Sequence, residues 1–164
     1  MILPLLLAAA ASLAFDGIAL GDDAAAIAAT HAGHSTFTAL GPAFTWRREG
    51  GGTMMIAGDA RGKVAVVDFA ADQGEEGTIV LPQAGSFDLQ ASHVALEKAL
   101  GEPALSECAP NYSGGYCGAF ALSGETEIVV QFESNGGQLH RATWATPAIL
   151  SKLQLIAPTI APTQ

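Results

Sequence analysis

Two histidines, His31 and His34, stand three apart, a spacing that zinc accepts from adjacent side chains. Zinc needs four ligands, and no further Cys or His pair lies beside them in sequence. They follow an alanine-rich run, 24–29, that reads as a helix carried on to Gly33. Imidazoles at a helix C-terminus are also favoured by the helix dipole. One reading of the pair is a small metal-dependent hydrolase using His31, His34 and neighbouring carboxylates. His93 and His140 read as a helix-surface residue and a strand residue. Asp59-Ala60-Arg61-Gly62-Lys63 lacks the glycine, lysine and hydroxyl pattern of a phosphate loop and reads as a hairpin turn. No Gly-x-Ser-x-Gly, His-Glu-x-x-His or EF-hand pattern occurs. The sequence calls for no catalytic residue, no metal and no cofactor.

The two cysteines, Cys108 and Cys117, flank a loop rich in turn formers. In an exported protein such a pair reads as a disulfide, contributing about 2–3 kcal/mol in the chain-entropy model. The spacing is not the Cys-x-x-Cys of a redox site. Tyr112 and Tyr116 lie inside that loop, where rigid amphipathic rings provide contact area at little entropic cost, as in a paratope. Trp46 and Trp144 on predicted strands complete a candidate binding set. Phe69, Phe120 and Phe132 read as core.

The chain has 164 residues, with 7 Lys+Arg against 16 Asp+Glu and a net charge of −9. Nucleic acid and anionic lipid both require clustered positive charge, so neither is an expected partner. An acidic protein steers basic partners toward itself. The opening run, Met1 to Ala11, is apolar, and Ser12-Leu13-Ala14 supplies small residues at cleavage spacing, although no Lys or Arg precedes the run. It reads as a signal peptide over 1–14, too short for a stable membrane anchor, and implies a periplasmic or secreted protein. No cysteine follows it for lipid attachment.

These side chains must be positioned by two similar stretches. Phe15-Asp16-Gly17-Ile18-Ala19-Leu20-Gly21 and Phe87-Asp88-Leu89-Gln90-Ala91-Ser92 each lead into a short helix that ends at glycine, Gly33 or Gly101. Asp22 or Asp23 caps the first helix, and Ser92 caps the second. Each copy closes on a hairpin, 53–70 or 127–145, after a strand containing Trp46 or Phe120. Gly50-Gly51-Gly52 reads as a flexible turn, 71–77 as a polar linker, and 78–81 as an added edge strand. The expected organisation is repeat 1 over 15–84, repeat 2 over 85–150 and an extended tail over 151–164. The fold class is α+β: two strand-helix-meander repeats form one antiparallel sheet of six to eight strands. Both helices pack on one face, leaving the other open.

The repeat, with Phe15-x-x-Ile18-x-Leu20-Gly21-Asp22 before the first helix, Leu100-Gly101-Glu102-Pro103 after the second, and a hairpin ending in Val66-Val67-Asp68-Phe69, resembles the β-lactamase inhibitory protein fold. The half-unit is similar to the small outer-membrane-assembly lipoproteins. The resemblance covers 15 to about 150. It implies a concave sheet lined with aromatic residues that grips a partner protein. Two departures stand out: tandem inhibitors carry a loop disulfide in each copy, and the first copy here has no cysteine; the lipidated cysteine of the lipoproteins is also missing. The expected function is a non-catalytic protein- or peptide-binding module, inhibitor-like, using an open sheet face and the Cys108–Cys117 loop. The alternatives are the hydrolase above and a cell-envelope assembly factor.

Overall fold

The structure is a computed structural model that describes residues 13–104 and 115–154. The leader up to Ser12, Cys108, Tyr112 and the end of the tail lie outside the described residues.

After a lead-in at 15–22 the elements run α1 (Ala24–Ala28), β1 (Gly33–Thr38), β2 (Gly41–Arg47), β3 (Thr53–Gly58), β4 (Val64–Ala70), β5 (Thr78–Leu81), β6 (Gly85–Asp88), α2 (His93–Leu100), β7 (Cys117–Ala121), β8 (Glu127–Phe132), β9 (Leu139–Ala145) and α3 (Pro147–Lys152). Seven strands form one sheet in the order β1-β2-β3-β4-β9-β8-β7, and β5-β6 form a separate two-stranded sheet. Every pairing is antiparallel. The α+β class is therefore correct at the level of an antiparallel sheet with short helices. The chain makes two meanders, and their last strands, β4 and β9, meet at the centre with Val67 opposite Trp144 and Phe69 opposite Ala142.

Period-2 alternation sorts the strands into two faces. One carries Trp46, Met54, Ile56, Val67, Phe69, Trp144, Ile128, Val130 and Phe120, all buried. The lead-in (Phe15, Ile18), α1 (Ile27), the β5–β6 hairpin (Ile79, Leu81, Phe87) and α2 (Leu96, Leu100) close over that face as one core. Both predicted helices thus lie on the same side.

The other face differs from expectation. Ala43, Ala57, Val66, Ala119, Val129 and Ala145 form a second cluster around Leu150 of α3, with Ile149 and Leu153 against it. The open face is thereby occluded through its centre. Small residues on the strands let α3 approach closely, and its start is marked by Thr146 and by Pro147, whose fixed φ suits a first helical turn. The tail predicted from 151 is helical at its beginning.

Other boundaries also move. Asp23 caps α1, accepting from Ala26 N at 2.9 Å, while Asp22 accepts from Ala19 N. The helix stops at Ala28, where Thr30 turns its hydroxyl onto the Ile27 carbonyl. Gly33 opens β1 rather than ending a helix. The first lead-in is a tight turn bridged between Phe15 and Ile18, not a strand, and 78–81 pairs with β6 rather than extending the large sheet.

Gly50-Gly51-Gly52 is not loose. Gly51 and Gly52 hold φ of 86° and 78°, and Gly52 N donates to Glu75 Oε1 at 2.7 Å. Segment 71–77 is stitched down as well, since Gln138 Nε2 donates to the carbonyls of Asp72 and Glu75.

Candidate functional site

Among the described residues, the most exposed large hydrophobic side chain is on β1. Phe37 is 81% exposed, on a strand with the sequence Gly33-His34-Ser35-Thr36-Phe37-Thr38. The strand contains no charged residue and no proline, two devices with which proteins protect sheet edges. It ends the strand order, and no described strand pairs with its outer side. The opposite edge differs, because Ala104 N donates to Ala119 O of β7 at 2.7 Å.

The register of β1 on β2 puts Ser35 beside Phe44 and Gly33 beside Trp46, on the face of Phe37. His31 stacks on Trp46 with ring centroids 4.3 Å apart. Gly33 has a packing reason: a Cβ there would lie 2.2 Å from the Thr45 carbonyl oxygen. β1 therefore sits close on β2, with its far side presenting backbone groups to the surroundings. Such an edge can accept an extended chain by main-chain hydrogen bonding, with alternate side chains meeting the two faces.

The residues singled out from sequence are scattered. Trp46 and Trp144 are 5% and 2% exposed in the core beneath the helices. They are not on a free surface, because the face carrying the large aromatics is the one that α1 and α2 cover. Tyr116 is partly buried: its hydroxyl donates to Glu97 Oε1 at 2.6 Å, and its ring stacks on His93 at 4.1 Å. Burial first, then the Glu97 hydrogen bond and charge, push its phenol well above the ordinary 10.0. That arrangement ties the β7 entry to α2. Cys117 is buried at the start of β7, while its expected partner Cys108 and the second tyrosine, Tyr112, lie outside the described residues.

His31 and His34 do not share a helix: His31 is in the turn after α1 and His34 is on β1. Among the described residues no three metal-ligating side chains gather in one place. The 59–63 segment is a turn, with Asp59 Oδ1 accepting from the backbone of Arg61 at 2.8 Å and Lys63 at 3.0 Å. These N–H donors hold its carboxyl below the ordinary value, and they are spent on Asp59 rather than offered to a phosphate.

Charged residues build scaffold. Asp68, 8% exposed, accepts from Arg141 Nε at 2.8 Å and Nη2 at 3.2 Å, and from the Thr143 hydroxyl. Arg48 binds both oxygens of Asp16 at 2.8 and 3.0 Å and lies over the Phe69 ring, fastening the lead-in to the β2–β3 turn. Glu75 pairs with Arg47. Burial alone would raise the Glu75 carboxyl, but the Gly52 and Asp72 N–H groups and Arg47 outweigh it and bring the group below its usual 4.5.

Sequence reasoning passed over Phe37. The available signal was an aromatic residue in an uncharged Ser/Thr stretch that belongs to no alternating pattern. No helix among the described residues is long and apolar enough to cross a membrane. No family model, curated protein or solved structure matches the chain.

Proposed function

We propose that this chain is an exported, non-catalytic protein-binding module that adds an extended segment of a partner protein to the β1 edge of its sheet. The observation that carries the reading is β1 itself: an uncharged edge strand with Phe37 projecting from it. The centre of the second face is filled by α3, so the edge replaces the broad open face as the binding element. The partner segment is extended, with an apolar side chain to meet Phe37. Its basic residues answer the net charge of −9.

The strand order supports reading the chain as tandem repeats over 15–84 and 85–150, because β2-β3-β4 mirrors β9-β8-β7 across the centre. It is also the ground for keeping the likeness to the inhibitory-protein fold as a proposal about architecture. The composition of the leader supports a periplasmic or secreted location. The Cys108–Cys117 bridge is retained as an expected staple of the second copy. A role as an envelope assembly factor would use the same edge on a partner in a membrane complex.

The test compares proteins captured from a periplasmic extract by the wild-type chain and by a Phe37→Lys variant. The reading expects a discrete basic protein held by wild type and lost with the variant. Identical captures would overturn it.

A further inference from the structure

The pairing of β1 with β2 decides which backbone groups of β1 face outward. Residue pairs on antiparallel strands alternate between exchanging both hydrogen bonds and turning those groups away from each other. Arg48 N, one residue past β2, donates to Gly52 O at 3.0 Å on the β3 side. Even-numbered residues of β2 therefore turn their backbone groups toward β3, and odd-numbered ones toward β1. Pro42, opposite Phe37, fits this phase, because it has no N–H to give β1. His34 and Thr36, opposite Thr45 and Ala43, spend their N–H and C=O groups on β2. Gly33, Ser35 and Phe37 lie opposite Trp46, Phe44 and Pro42, so theirs point outward. Among the described residues none hydrogen-bonds to those outward groups.

The outward groups are self-complementary. In a second copy running antiparallel, with Ser35 opposite Ser35, Gly33 of each copy meets Phe37 of the other. Every outward N–H then finds an outward C=O, which no shifted register achieves. Side chains of paired residues share a face, so each Phe37 ring, 81% exposed in the single chain, lies over a glycine. Aromatic rings cover edge glycines in this way. With no side chain at Gly33 in between, the ring extends toward Phe44 and the His31–Trp46 stack of the second copy. On the other face His34 meets Thr36, and no like charges are opposed. The assembly also closes. At the far edge β7 already gives Ala119 O to Ala104 N, so the sheet does not grow into a filament.

We propose that the free chain forms a two-fold dimer by antiparallel β1–β1 pairing centred on Ser35. This rests on the reading of β1 as a strand-accepting edge, and it adds a regulation to that edge. The same backbone groups cannot serve a partner strand and a second copy at once. A contact one strand wide belongs with interfaces below about 1,200 Å², which associate weakly. A dilute chain therefore keeps its edge free. Each copy carries a net charge of −9, so salt tightens the dimer by screening repulsion while it loosens a basic partner.

The test is sedimentation velocity of the purified chain from about 10 μM to about 1 mM, the range in which weak pairs form. It is run at about 0.05 M and about 0.5 M NaCl, which differ severalfold in screening length. The proposal expects a dimer whose share rises with concentration and whose affinity is roughly twofold or more higher at the higher salt. Ser35→Pro should weaken it roughly tenfold, the ratio that losing the two central hydrogen bonds gives. The variant should fold, because the Ser35 N–H does not bond β2 and an edge strand accepts proline on its outer side. If circular dichroism shows it unfolded, Phe37→Lys, which sets a lysine over the second copy's Gly33, decides instead. A chain monomeric at every concentration and salt overturns the proposal, and so does a dimer unmoved in the folded variant. Either result leaves the capture of a basic protein to be judged by itself. Conversely, captures identical for wild type and Phe37→Lys, with the dimer present, overturn the partner reading and not the dimer.

Discussion

Val67 of β4 and Trp144 of β9 face each other at the centre of the sheet, and both belong to the core that spans the N-terminal and C-terminal meanders. The next pair on that face sets Phe69, fully buried, against Ala142. The large ring fills space that the alanine leaves, so the two halves share one packed seam.

Phe69→Ala should therefore cost about 3–5 kcal/mol, the range for emptying a buried aromatic site. Because the core crosses the seam, chemical denaturation should remain a single transition in wild type and variant. Two resolved transitions would show that the meanders fold independently.

Gly52→Ala should destabilise by more than about 1 kcal/mol, since it places a side chain at a left-handed position that alanine adopts poorly. Here φ is 78°, and the new Cβ would lie 2.0 Å from the Phe69 ring. Thermal unfolding checks this; an unchanged midpoint would mean that the β2–β3 turn has room to shift.

Asp68→Ala should cost about 1–3 kcal/mol, because it leaves the buried Thr143 hydroxyl without its acceptor. The Asp68→Ala/Arg141→Ala double variant should lose less than the sum of the two single losses, as coupled partners do. Strict additivity would show that the ion pair adds nothing.

Glu75 gives the stability curve an acid limb. Its carboxyl titrates below the usual 4.5 in the fold, so its contribution is complete above that value. The contribution is lost as the pH falls through the lower folded value, where the unfolded chain binds the proton more readily. Glu75→Gln should be less stable than wild type at neutral pH, with the gap closing below about pH 4. Urea midpoints measured from pH 7 to 3 test this, and a gap independent of pH would contradict it.

The sequence made legible the largely apolar runs of β3, β4, β8 and β9, set off by turn formers, and α2 between its Ser92 start and Gly101 stop. β1 escaped notice because Gly33 looks like a helix terminator and Ser35-Thr36 breaks any apolar alternation. The strand exists because it can pair with β2, a tertiary cause that no local window contains. α3 escaped because a single turn-and-a-half after Thr146-Pro147 resembles the start of a tail. The tryptophans' burial is not legible in the sequence, because residue type does not say which sheet face a helix will cover. Only the register, with Trp46 and Trp144 on the side of Ile27 and Leu96, decides it.

The central claim is that β1 takes up a partner strand. Backbone amide hydrogen exchange over residues 33–38, measured with the wild-type chain alone and bound to the basic protein it captures, tests it most directly. The account predicts slowed exchange in that segment on binding, and no slowing when Phe37→Lys is used. Protection confined to other segments, with 33–38 exchanging as in the free protein, would contradict it.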